Sequence, residues 1–339
     1  MNPWERLKPP LKVEDIEEIG FQKASREANK IPYKSKVETA KKREMTRVRI
    51  LYRFINTNLL RALKILDAYF EAHQFYRDLI TLYYPENEIK RIHKRFLKLT
   101  SALENIKNEY IGRINSTNSP EEMKKYRRVA QGKFATFLHR IKEDMEFVIK
   151  LHRYARRLPS INPEGVTFLV AGPPNTGKST LVNILSTART KTASYPFTTK
   201  DIFVGHIEHK YLRAQIIDTP GLLDRSLSER NEIELKAIYA LKNLRGDILY
   251  LFDISPEAYY PISNQINIYR EISREFENRR LIPIANKIDS PDESKYKELK
   301  KVFGEALLEI SCVEGIGIEK LKNLLMERIE QFYLDKLSR

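Results

Sequence analysis

Gly172-Pro173-Pro174-Asn175-Thr176-Gly177-Lys178-Ser179 fits GxxxxGK[ST] and lies between two segments that let such a loop work. Before it, Val166-Thr167-Phe168-Leu169-Val170-Ala171 reads as a short buried strand. After it, Thr180-Leu181-Val182-Asn183-Ile184-Leu185 reads as the start of a helix. Strand, glycine-bounded loop and helix make a phosphate cradle. Backbone N–H groups of the Gly172–Thr180 loop, of which Pro173 and Pro174 have none, together with the positive end of the helix, attract α- and β-phosphates. Lys178 is placed to reach β/γ oxygens and the Ser179 hydroxyl to ligate Mg²⁺. Gly177 is required where a Cβ would intrude on the phosphates.

The other parts of a nucleotide site follow in order. Tyr211-Leu212-Arg213-Ala214-Gln215-Ile216-Ile217 is a second apolar strand running into Asp218-Thr219-Pro220-Gly221. Asp218 at the strand's carboxyl end is placed to hold the metal shell, directly or through water. The Gly221 N–H is placed to meet a γ-phosphate, so that Asp218 to Leu222 forms one switch. The other switch is Tyr195-Pro196-Phe197-Thr198-Thr199-Lys200, with Thr199 as a further metal ligand. Lys178, Thr199 and Gly221 are the residues expected to act on the reacting phosphate.

The strand Leu281-Ile282-Pro283-Ile284-Ala285 delivers Asn286-Lys287-Ile288-Asp289. A carboxylate at Asp289 accepts from both N1–H and the 2-amino group of guanine, donors that adenine lacks. Lys287 is expected over the ring and Asn286 between the base and phosphate loops, with the Ser311-Cys312 backbone at the guanine oxygen. The order P-loop, DxxG, NKxD selects GTP over ATP, giving GTP/GDP and Mg²⁺ as cofactors.

At these residues the chain resembles the Obg-related group of translation-factor-related GTPases. Within that group it is most similar to the nucleolar GTP-binding protein (Nog) family and its shorter archaeal relatives. The resemblance rests on Leu158-Pro159-Ser160-Ile161, Phe197-Thr198-Thr199-Lys200, Phe203-Val204-Gly205-His206, Asp218-Thr219-Pro220-Gly221-Leu222-Leu223-Asp224-Arg225, Glu229-Arg230-Asn231 and Leu249-Tyr250-Leu251-Phe252-Asp253. It implies binding to the large ribosomal subunit precursor and its rRNA, beside ribosomal proteins or other assembly factors, and a role in maturation. Pro174 departs from the related loops. The stop at Arg339, without the long basic tail of eukaryotic members, leads to the expectation of an archaeal-type short form. The resemblance also gives Asn175 a role in holding K⁺ beside the phosphates, against the plainer reading that it braces the loop. Leu222 stands where many small GTPases use glutamine, and leucine cannot orient water, so slow intrinsic hydrolysis is expected. Arg225 and Arg230 stand in the second switch and serve either the active site or an rRNA-facing surface.

The 339 residues and 42% hydrophobic content suit two folded domains, with a boundary where Pro159 to Gly165 breaks a helical pattern. The expected architecture is multidomain, α plus α/β: an antiparallel helical bundle over residues 1–160, then a P-loop GTPase domain over 161–339 with a mostly parallel sheet. One antiparallel strand is expected near Asp201 to Val204, with a turn through 206–210. Apolar stripes at Leu51, Ile55, Leu59, Ala62 and Leu66, and at Ile89, Ile92, Phe96, Leu99 and Leu103, mark bundle cores. A third stripe starts at the Ser119 cap with Pro120 at the first helical position and runs on towards Tyr154. The first ten residues, with three prolines and Trp4, read as an irregular arm.

Charge separates the halves. Residues 1–160 hold 35 Lys and Arg against 20 Asp and Glu; the remainder holds 25 of each, so the formal +15 lies wholly in the helical half. Its bands are candidate RNA contacts: Lys41, Lys42, Arg43 and Arg47; Lys90, Arg91, Lys94 and Arg95; Lys124, Lys125, Arg127 and Arg128; Arg153, Arg156 and Arg157. One-signed surplus without a base-reading motif suits phosphate backbones and predicts strong salt dependence. The rival readings are a stand-alone signalling GTPase whose basic bundle meets an acidic protein, or one that meets an anionic membrane surface. One cysteine, scattered histidines, no signal-peptide pattern and no long apolar run lead to the expectation of a cytoplasmic protein, monomeric off the ribosome, without zinc or a membrane span.

Overall fold

The computed structural model describes residues 2–187, 191–193, 195–196 and 202–337. It holds an N-terminal helical bundle followed by a P-loop GTPase domain with a mixed, mainly parallel sheet. The chain separates into two compact units.

The first unit comprises Pro3–Ala72 and Tyr83–Arg156. Its helices are α1 (Val13–Asn29), α2 (Lys36–Glu71), α4 (Glu86–Ser116), α5 (Pro120–Arg140) and α6 (Lys142–Ala155); α3 (Gln74–Thr81) falls outside it. Ser35 and Ser119 cap α2 and α5 by accepting the N–H three residues on, at 3.2 and 3.4 Å, and Pro120 sits in the first turn of α5. Leu51, Ile55, Leu59, Ala62 and Leu66 are buried along α2, as are Ile89, Ile92, Phe96 and Leu103 along α4. Each of these Leu, Ile and Phe side chains contributes about 1.5–3 kcal/mol on burial. The N-terminal arm is pinned, because Trp4 is fully buried and its indole N–H donates to the Ile65 carbonyl at 3.0 Å. The third stripe is not one helix. At Ile141 the backbone (φ −106°, ψ 5°) breaks it into α5 and α6, which apolar periodicity running through the break conceals.

The second unit comprises Met1–Asn2, His73–Leu82 and Arg157–Arg339. Helix α3 therefore packs with the sheet domain although it interrupts the bundle sequence. The Tyr76 hydroxyl lies 2.9 and 2.7 Å from the Pro159 and Ile161 carbonyls, and Asp78 accepts from the Asn243 amide at 2.7 Å. A single division near residue 160 misses this excursion, since α3 has the same helical patterning as its neighbours.

The sheet is built from β1 (Val166–Ala171), β2 (Lys191–Ala193), β3 (Ile202–His209), β4 (Leu212–Asp218), β5 (Ile248–Asp253), β6 (Leu281–Asn286) and β7 (Leu308–Glu309), in the order β2-β3-β4-β1-β5-β6-β7. From β4 to β7 every pairing is parallel, and β3 runs antiparallel to both β2 and β4. The β3 strand continues to His209, through most of the expected 206–210 turn, which contracts to Lys210 (φ 53°) and Tyr211. Helices α7 (Lys178–Leu185), α8 (Glu232–Ala240), α9 (Ile262–Glu275), α10 (Glu293–Phe303) and α11 (Ile318–Leu337) alternate with the strands. Buried Leu321, Leu325 and Ile329 of α11 close one face over Phe168, Ile216 and Leu249. Parallel strands buried on both faces explain why β1 and β5 read as unbroken apolar runs. Among the described residues no helix is long and apolar enough to cross a membrane.

Candidate nucleotide site

The carboxyl ends of β1, β4 and β6 deliver the three motifs to one edge of the sheet. At the phosphate loop, Gly172 adopts φ 133° and Gly177 φ 93°. A Cβ on Gly172 would press into the Leu251 carbonyl of β5, and one on Gly177 into the Asn286 side-chain amide. Asn175 also takes a left-handed conformation (φ 64°), which asparagine tolerates better than most residues. The Thr176 hydroxyl donates to the Pro173 carbonyl at 3.0 Å, and Lys178 Nζ donates to the Gly172 and Pro173 carbonyls at 2.7 and 2.6 Å. Lys178 is buried while Ser179 and Thr180 at the start of α7 are exposed, so a cation lies under the loop and hydroxyls lie at its mouth. Pro174 lines the cleft beside Asn175.

Asp218 ends β4 fully buried. One carboxylate oxygen accepts from the Ser179 hydroxyl; the other, Oδ1, is buried without a hydrogen-bond partner among the described residues. Burial raises its pKa, opposed by the Ser179 bond and the Lys178 charge. Thr219 donates its hydroxyl to the Val170 carbonyl at 2.7 Å, holding the second switch against β1. Leu222 is buried, so its side chain is apolar packing. In the first switch, Tyr195 is buried with its hydroxyl donating to the Ala237 carbonyl at 2.9 Å, and Pro196 is buried beside it. Phe197, Thr198, Thr199 and Lys200 lie outside the described residues.

At the base loop, Asn286 donates to the Thr176 carbonyl at 2.8 Å and accepts from the Cys312 N–H at 3.1 Å. Lys287 takes φ 67°, and its ammonium meets the buried Asp253 carboxylate at 2.5 Å. Asp289 is exposed and Ser311 is fully buried. Burial pushes the Cys312 thiol up to about 11.

A cleft of about 440 Å³ runs between the phosphate loop and Phe203, Pro220, Gly221 and Asp224. A larger cavity, about 610 Å³ around Asp247 and Arg279, contains none of the three motifs, so its size does not make it the nucleotide site. Asp224, which lines the cleft, and Arg230, buried behind it, have no defined task in the sequence reading. Gly221 (φ 76°) receives the Asp224 carboxylate on its N–H at 2.8 Å, and Arg230 holds that carboxylate at 2.7 Å. Their place in the DRxxxxRN stretch is visible in the sequence; their pairing is not. Arg225 meets Glu234 at 3.4 Å.

The basic candidates of the helical half divide into two kinds. Arg47 and Arg127 pair with buried Glu44, Arg91 and Arg95 pair with buried Asp144, and Lys90 pairs with Glu86. Lys41 and Arg43 donate to the Asn115 and Ile31 carbonyls at 2.8 and 3.1 Å. Lys42, Lys94, Lys124, Lys125, Arg128, Arg153, Arg156 and Arg157 are exposed with no ion pair among the described residues.

Residues 4–162 match the model of the NOG1 N-terminal helical domain, and residues 232–289 match that of nucleolar GTP-binding protein 1. Both halves match the NOG1 family. Nucleolar GTP-binding protein 1 of Eremothecium gossypii is 32% identical over 267 residues, 76% of this chain and 42% of that protein. The Arabidopsis thaliana NOG1 is 33% identical over 276 residues, 76% of this chain and 41% of that one. The chain thus spans about two-fifths of the length of these NOG1 relatives. A Plasmodium falciparum crystal structure carrying the same family name is 36% identical, covers 53% of this chain and 94% of its own, and superposes with a TM-score of 0.46. These relatives are eukaryotic, and the archaeal-type short form finds no support in them. They also correct the cytoplasmic expectation: proteins called nucleolar overturn a location that was argued from one cysteine and the lack of a leader pattern, neither of which separates cytoplasm from nucleus.

Proposed function

We propose that this chain is a guanine-nucleotide switch that binds and hydrolyses GTP, and that its basic helices hold precursor rRNA of the large ribosomal subunit. The observation carrying the first part is the bond from Asn286 to the Thr176 carbonyl, because it ties an NKxD loop to a GxxxxGKS loop at one sheet edge. Charge carries the second part: the surplus of +15 falls in residues 1–160, and eight candidate cations there stand exposed with no ion pair among the described residues.

In this reading the loop N–H groups hold the α- and β-phosphates, and Lys178 exchanges its carbonyl partners for phosphate oxygens. Ser179 and the orphaned Oδ1 of Asp218 are oxygen donors that fit a hard cation keeping most of its own water, with Thr199 as a third. Bound Mg²⁺ would supply charge neutralisation on the β/γ oxygens. Asp289 reads guanine, Lys287 lies along the base, and the Ser311-Cys312 backbone closes the pocket. Leu222 offers no hydrogen bond to an attacking water, so hydrolysis is slow in isolation. Asn175, at the exposed mouth of the loop, is the residue for a K⁺ ion. The nucleotide then times attachment to and release from the RNA.

Binding of the full chain to large-subunit precursor particles is measured with GTP analogue, GDP and no nucleotide across a salt series. Nucleotide-dependent binding that weakens steeply with salt is expected. Identical binding in all three nucleotide conditions would remove the switch, and binding to neither particles nor rRNA would favour an acidic protein partner.

A further inference from the structure

A γ-phosphate and the Asp224 carboxylate compete for the same donor. Asp224 Oδ2 accepts from the Gly221 N–H at 2.8 Å, and this is the N–H that a DxxG loop turns towards the third phosphate. Gly221 adopts φ 76°, yet an added Cβ there would meet nothing within 4 Å among the described residues. The glycine is thus needed for the direction of its backbone and not for space. Asp224 lines the same cleft as Lys178 and Ser179.

The carboxylate is held in place from behind. Its other oxygen, Oδ1, receives Arg230 at 2.7 Å, and the same guanidinium donates to the Gly221 and Leu222 carbonyls at 2.7 and 3.0 Å. The Arg230 side chain is 3% exposed and the Asp224 side chain 19%, so the pair is shielded from water and weakly screened by salt. We propose that Asp224 is a specificity-determining residue, an internal stand-in for the γ-phosphate that favours diphosphate over triphosphate nucleotide. This rests on the GTPase reading above. Two anions cannot share one N–H a few ångströms apart, so a triphosphate must expel Asp224 before it can bond to Gly221. A diphosphate leaves the Asp224–Arg230 pair intact. Expulsion also removes an acceptor from a buried guanidinium whose Nε already lacks one among the described residues. The second switch is therefore closed on itself until a third phosphate opens it.

The test compares dissociation constants of the full-length wild type, Asp224→Ala and Asp224→Asn for GDP and for the non-hydrolysable analogue GMPPNP, at fixed Mg²⁺, by titration calorimetry. In Asp224→Ala the analogue binds about tenfold tighter while GDP changes by less than about twofold. Asp224→Asn keeps an acceptor without the charge and shows a smaller gain in the same direction. If Asp224 only closed the loop, both nucleotides would weaken together. An analogue-to-GDP ratio equal to wild type in both variants overturns the inference, with the asparagine variant deciding it if the alanine variant unfolds. Wild type that binds neither nucleotide would instead defeat the GTPase reading, and this inference with it.

Discussion

Asn286 joins Thr176 of the phosphate loop, 110 residues earlier in the chain, through a buried 2.8 Å hydrogen bond. The same side chain accepts from Cys312, so one amide fixes two loops relative to each other. Asn286→Ala leaves the Thr176 carbonyl and the Cys312 N–H without this partner, at about 1–3 kcal/mol each. Affinity for GDP and for GTP analogue should fall together by about 10–100-fold in calorimetry. A change confined to one nucleotide would show that Asn286 does not act as the common brace.

Asn175 is exposed, left-handed and beside the cleft. If it holds a monovalent cation, GTP hydrolysis at matched ionic strength runs faster in K⁺ than in Na⁺. Asn175→Ala then levels the two rates, a loss on the order of tenfold in K⁺. Equal rates in the two salts for the wild type would leave Asn175 as a loop brace.

Glu44 on α2 is buried between Arg47, at 2.5 Å, and Arg127 of α5, at 2.9 Å. Removing one partner of a buried ion cluster strands the others, so Glu44→Ala should cost about 3–5 kcal/mol in urea unfolding. The same logic separates two neighbouring arginines. Arg128→Glu should weaken RNA binding and flatten its salt dependence without loss of stability, whereas Arg127→Glu should unfold the bundle. Equal stability of the two variants would remove the structural assignment of Arg127.

Cys312 has its thiol pushed up to about 11 by burial, so at pH 8 it is almost wholly neutral. Iodoacetamide should label it about 100-fold more slowly in the folded protein than in urea, where the thiol returns to its ordinary range. The folded state here binds the proton more tightly than the unfolded chain. Its contribution is therefore complete below the unfolded pKa, near 9, and declines as pH rises towards 11. Equal labelling rates in the two states would show that the thiol is not shielded.

The legible part of this molecule was local. Apolar runs marked β1, β5 and β6, Ser119-Pro120 marked the start of α5, and the spacing of the three nucleotide motifs placed them at strand ends. The RNA candidates were less legible, because a band of cations looks the same whether it faces solvent or a buried carboxylate. Glu44 and Asp144 absorb four of them.

The sequence by itself determined which residue types stand where: a GxxxxGKS loop, an aspartate opening DTPG at a strand end, an NKxD motif and a one-sided charge, each carried by residue type at short spacing. Tertiary structure decided what touches what. It assigned α3 to the sheet domain through Tyr76 and Asp78, broke the long stripe at Ile141, and gave Lys287 to Asp253. It also paired Arg127 with a glutamate 83 residues away and tied Asn286 to the Thr176 carbonyl across 110 residues. Periodicity and spacing are short-range signals set by backbone geometry. Which acid meets which base depends on how distant elements pack, and no local pattern carries that information.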